Sequence, residues 1–105
     1  MAKDRKRAIR EAFNAAVFKR DGHRCVVCRA EGRDTAAVDA HHITDRSLMP
    51  GGGYVKENGI SVCADCHLKV EEVHITGEAL PGLAPDDLYR LIGCSYTEAW
   101  DAADP

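Results

Sequence analysis

Aromatic residues are scarce in this chain, with one Trp, three Tyr and two Phe among 105 residues. So few rings predict a modest apolar core, which a bound metal would supplement. No apolar run approaches the roughly 18 residues that cross a bilayer, and none precedes the first cysteine. Neither a membrane span nor a secretory leader is expected, and a reducing, cytoplasmic setting follows. Internal repeats and low-complexity segments are also missing, and loop punctuation is confined to Pro50-Gly51-Gly52-Gly53 and residues 77–85. A length of 105 residues allows one domain and leaves no room for separate catalytic and regulatory ones.

Neither sign of charge dominates, since the net charge is -3, but the two ends differ sharply. Residues 1–33 carry ten bases and four acids, a net of +6, whereas residues 34–105 carry four bases and thirteen acids, a net of -9. The first part can lie along a polyphosphate and the second would be repelled by it. Over residues 4–20, Ile9, Phe13, Ala16 and Val17 recur at helical spacing with bases around them, which predicts an amphipathic helix ending at Asp21-Gly22. Strand-like runs follow at 36–43 and 60–62, then a helix over 65–74 with Leu68, Val70 and Val73 available for packing. Pro85-Asp86-Asp87 opens a helix that stops at Gly93, and Ser95-Tyr96-Thr97-Glu98 has capping-box spacing for another, with Tyr96 and Trp100 as its anchors.

Four of the five cysteines form two Cys-x-x-Cys pairs, Cys25/Cys28 and Cys63/Cys66, separated by 34 residues. In a reducing compartment such pairs are metal ligands more often than disulfides, and four thiolates suit one tetrahedral structural Zn²⁺. Cys94 is left over and reads as a partly buried free thiol. Inside and just after the loop between the pairs stand Asp39-Ala40-His41-His42-Ile43, Asn58 and Cys66-His67.

In this order these motifs resemble the HNH family of ββα-metal nucleases in its zinc-bearing form. The lead-in Val17-Phe18-Lys19-Arg20-Asp21-Gly22-His23-Arg24-Cys25 is similar as well, and the resemblance covers about residues 15–70. It implies that His41 and His67 hold a catalytic divalent metal, that His42 is the general base, and that Asn58 braces it. Adjacent strand residues face opposite ways, so one histidine can address a metal while the other faces a water. The colicin-type relatives place a second histidine four residues along the helix, where this chain has Glu71. A carboxylate there shares the face of His67 and favours Mg²⁺ or Mn²⁺. His74 shares that face too, but it stands about 10.5 Å of helix rise beyond His67, too far to share one ion with it.

The expectation is therefore an α+β fold: a small zinc-bearing ββα-metal domain with an N-terminal basic helix and C-terminal helices. Residues 1–75 form the nuclease core, and 76–105 an acidic helical extension packed on the same domain. The expected activity is metal-dependent hydrolysis of DNA, double-stranded by preference, leaving 5′-phosphate and 3′-hydroxyl ends, with Arg10, Arg20, Arg24 and Arg29 on the phosphates. RNA and branched DNA remain open as substrates. The expected location is a bacterial cytoplasm, or a host's if the chain is phage-encoded. The competing readings are a non-catalytic zinc-bearing nucleic-acid-binding module and an accessory subunit of a phage or defence complex that meets a protein partner through its acidic C-terminal segment.

Overall fold

A computed structural model describes residues 2–104. Helix α1 spans Ala2–Asp21. Its exposed first half projects bases into solvent, and Phe13 and Val17, one turn apart, are buried. Ile9, expected on the packed stripe, is 42% exposed, because it lines an open cleft, whereas the apolar residues of α1 buried in the fold, Phe13 and Val17, lie in its second half. A short helix α2, Val26–Ala30, was not foreseen in the first cysteine knuckle. Its cause is local: Cys25 Sγ caps it by accepting the Cys28 N–H at 3.4 Å. The second knuckle repeats the device. Cys63 Sγ accepts the Cys66 N–H at 3.5 Å and starts helix α3, Ala64–Thr76.

Between the knuckles, strands β1, Asp39–His42, and β2, Gly59–Val62, pair antiparallel with His41 opposite Ile60 and His42 opposite Gly59. The long connection between them passes through 3₁₀ turns at Arg46–Leu48, Pro50–Gly52 and Lys56–Asn58. This two-stranded sheet with α3 behind it is the small α+β, ββα architecture expected. Helices α4, Pro85–Leu91, and α5, Tyr96–Ala103, follow.

One apolar cluster ties these parts together. It contains the four paired cysteines, Ile43, Ile60, Val62 and Val70 together with Leu88, Tyr89 and Ala99 from α4 and α5. Leu68 is 75% exposed, so the buried stripe of α3 is Cys66 and Val70. In α5 it is Ala99 that is buried. Trp100 and Tyr96 are largely exposed, and Tyr96 meets Tyr89 edge-on at 6.5 Å between centroids.

The junction of α1 with β2 is the tightest in the fold. A Cβ on Gly59 would lie 2.4 Å from Val17 Cγ2 and 2.8 Å from Phe13 Cζ. Gly59 has φ -123°, so it is a glycine of close approach and its backbone is ordinary extended chain. Buried Asp21 then fastens the helix end to the strand, its Oδ2 accepting the Ser61 N–H at 2.9 Å.

Candidate functional site

The four paired cysteines are buried, and their sulfurs all lie within 4.8 Å of one another. Cys28 Sγ is 3.8 Å from Cys63 Sγ and 3.7 Å from Cys66 Sγ. Thiolates at the corners of a tetrahedron with bonds of about 2.3 Å stand about 3.8 Å apart, so the cage has the dimensions of a Zn²⁺ site. Its electrostatics are uneven. A hydrogen bond from Thr35 and the nearby Arg33 guanidinium bring Cys28 down to about 6, while burial pushes Cys25 and Cys66 up. A closed set of four sulfurs has no open position for water, which marks this centre as structural.

On the other side of the hairpin, His41, His42, His67, Glu71 and His74 line a cavity of about 290 Å³ together with Arg10, Phe13, Arg46 and Tyr54. The strand alternation separates the two adjacent histidines. His41 is buried toward α3, where its Nδ1 is 3.0 Å from Glu71 Oε1 and its ring stacks on that of His74 at 5.1 Å. His42 faces α1, stacked on Phe13 at 4.4 Å with Tyr54 edge-on at 4.7 Å. Burial, then the neighbouring His74 and His67, hold the His41 imidazole down to about 3. Burial and the Arg46 charge hold His42 down to about 4. Both rings are therefore neutral at pH 7, the form that binds a metal or takes a proton.

The donor set suits a divalent cation. His41 turns its Nδ1 toward the Glu71 carboxylate, and among the described residues the Nε2 atoms of His41 and His42 are the buried side-chain polar atoms with no hydrogen-bond partner, that of His42 being free to take a water. Glu71 sits at the centre. Its Oε1 is also 3.3 Å from His67 Nε2, and Asp39 Oδ2 holds the other nitrogen of that ring at 3.0 Å. His41, Glu71 and His74 offer ligand atoms within 4.8 Å of one another. The rise argument that set His74 aside measured from His67, whereas the geometry is centred on Glu71, three residues before His74. Spacing from Glu71 was the signal available in the sequence.

Asn58 is fully buried and brackets the backbone of one residue: its Oδ1 accepts the Thr44 N–H at 3.0 Å, and its Nδ2 donates to Thr44 O at 3.1 Å and Gly53 O at 3.2 Å. The arginines divide. Arg10 and Arg46 are exposed and line the cavity, and with Lys6 and Tyr54 they also line an adjoining cleft of about 420 Å³. Arg20 turns inward, giving hydrogen bonds to Asp21 Oδ1 and Oδ2, Lys56 O and Gly59 O. Arg29 donates to Asp21 O, and Arg24 lies 3.4 Å from Asp34. Arg46 and Lys6 carried no mark in the sequence, because only the folded chain brings the 46–54 loop against α1.

A cage of four sulfurs holding a ββα hairpin, with a neutral histidine pair and a carboxylate opening onto a basic cleft, defines a small α+β fold with two candidate metal centres. Residues 25–72 match the model of the HNH endonuclease family, and the four paired cysteines that could hold a metal ion all lie within that stretch. No curated protein and no solved structure matches the chain.

Proposed function

We propose that this chain is a metal-dependent endonuclease that hydrolyses DNA phosphodiester bonds to 5′-phosphate and 3′-hydroxyl ends. The observation that carries the proposal is one cleft in which a partnerless neutral His42 stands beside the His41–Glu71 cluster, rimmed by Arg10 and Arg46. Mg²⁺ or Mn²⁺ held by His41, Glu71 and His67 would supply Lewis-acid stabilisation of the charge that builds on phosphorus. His42 takes the proton of the attacking water as the bond to the 3′ oxygen breaks. Asn58 holds the chain that leaves β1, and Arg10, Arg46 and Lys6 bind flanking phosphates. Those contacts address the backbone, so binding is sequence-tolerant and weakened by salt. Arg24 and Arg29 are secondary phosphate contacts, and Arg20 serves the fold.

Residues 1–75 are the nuclease core in this proposal, and 76–105 an extension sharing its apolar cluster. No helix among the described residues is long and apolar enough to cross a membrane, and a cytoplasmic site of action agrees with two Cys-x-x-Cys pairs grouped as metal ligands, which must be thiolates to bind.

The test is plasmid nicking by the zinc-loaded chain with Mg²⁺ or Mn²⁺. Wild type cleaves, and His42→Ala loses about a hundredfold or more of the rate while keeping zinc and DNA binding. DNA binding by wild type without cleavage under either metal would refute catalysis and leave a zinc-bearing binding module.

A further inference from the structure

Helix α4 lies outside the residues that match the HNH family, yet it sends one polar atom to Asn58, the residue proposed to brace the base. Tyr89 is 1% exposed, and its hydroxyl meets Asn58 Oδ1 at 2.7 Å and Thr44 Oγ1 at 2.6 Å. Proton counting fixes the direction of both bonds. Asn58 Oδ1 accepts the Thr44 N–H, so it is the amide oxygen and cannot donate. Tyr89 therefore gives its single proton to Oδ1, and Thr44 Oγ1 gives its own to the Tyr89 oxygen. The chain of donors runs one way, from Thr44 through Tyr89 to Asn58.

With that donor in place, both lone-pair positions and both N–H groups of the Asn58 amide are used. Rotating the amide by half a turn would set its NH₂ against the Thr44 N–H and the Tyr89 O–H. Burial also pushes the Tyr89 phenol up, which keeps its proton in place over the working range of pH. The bracketed residue is Thr44, two residues after His42.

We propose that Tyr89 is a positioning residue of the nuclease: its hydroxyl locks Asn58 in the orientation that brackets Thr44 and so fixes the end of β1 that presents His42. This rests on the nuclease reading above, and it makes the C-terminal helices part of the machinery that aligns the base.

The test uses the full zinc-loaded chain and removes only the hydroxyl, by Tyr89→Phe. We expect kcat on plasmid to fall about tenfold with KM for DNA unchanged, measured well below the melting midpoint. In an Asn58→Ala background the same substitution should cause no further loss, because Tyr89 acts through Asn58. A merely structural role would lower the melting midpoint and leave kcat at that temperature intact, and that result would overturn the proposal, as would losses in the double variant that multiply. If Tyr89→Phe fails to melt cooperatively, Thr44→Val, which keeps the ring, carries the same test with an expected loss of about threefold. A readout independent of cleavage separates this idea from the nuclease reading. By NMR, exchange of the Asn58 side-chain NH₂ protons should be slow in wild type and at least tenfold faster in Tyr89→Phe, and equal rates would refute the lock even in a chain that cuts nothing.

Discussion

Phe13 lies face to face with His42, with ring centroids 4.4 Å apart and planes 23° from parallel. The contact joins a helix that precedes the HNH segment to the residue proposed as its base, and Gly59 makes it possible by letting α1 sit directly on β2. A Cβ at 2.4 Å from Val17 and 2.8 Å from Phe13 forces these two buried side chains, or the helix that carries them, to shift. Gly59→Ala should therefore cost about 1–3 kcal/mol, as overpacking of a tight core does, seen as a lower urea midpoint. It should also reduce kcat at temperatures where the variant is fully folded, because Phe13 shifts off His42. An unchanged midpoint would show that α1 does not press on the hairpin as described.

The cysteine cage holds more of the fold than its four residues suggest, because each knuckle also caps a helix, α2 through Cys25 and α3 through Cys63. Structural zinc contributes on the order of 10 kcal/mol to small domains, as much as a typical domain's entire stability of about 5–15 kcal/mol. Chelation, or Cys63→Ser, should thus abolish the cooperative thermal transition. A zinc-free Cys63→Ser variant that melts near the wild-type midpoint would rule out this role.

His41 and His42 both titrate below the ordinary histidine value of 6.5 in the folded chain, near 3 and 4, chiefly through burial. Between those values and 6.5 the unfolded chain binds protons that the folded one refuses. Their stability is fully present above pH 6.5 and is lost as pH falls toward 4. His42→Gln removes its share, on the order of 1 kcal/mol at pH 5. The variant should then lose less stability than wild type between pH 7 and pH 5, measured from urea midpoints, while proton uptake by the cysteines cancels in the comparison. Equal losses would mean that His42 is not held neutral.

What the sequence disclosed and what it hid divide along a physical line. Motifs close in sequence were legible: the Cys-x-x-Cys spacing builds a knuckle whatever surrounds it, and His41, His42, Asn58 and His67 stand in a recognisable order. Helix α3 could be placed from its periodicity, and α4 and α5 from their caps. Hidden were the contacts made when separate elements pack. Phe13 read as an ordinary core residue, and nothing in the chain says that its ring covers His42. Arg20 looked like its neighbouring bases, and only the β2 carbonyls above it turn it inward. Tyr89 lies 31 residues from Asn58, a separation that no local pattern bridges.

The remaining question at the metal cleft is which histidine joins His41 and Glu71, and the hydrogen bonds argue for His67. His74 Nε2 is 3.0 Å from the His42 carbonyl. A carbonyl only accepts, so that nitrogen carries the proton and is already used. His67 is arranged the other way. Its Nδ1 lies 3.0 Å from Asp39 Oδ2, and its Nε2 faces the Glu71 carboxylate at 3.3 Å. A carboxylate behind a histidine is a common way to orient a metal ligand. In cleavage assays titrated with Mn²⁺, His67→Ala and Glu71→Gln should each raise the half-saturating metal concentration by about 10–100-fold, and Asp39→Asn should do so to a smaller degree. His74→Ala should leave metal affinity within a few-fold of wild type and act on kcat, by releasing the His42 carbonyl. A larger metal defect in His74→Ala than in His67→Ala would transfer the third ligand to His74, in line with the tight grouping of His41, Glu71 and His74.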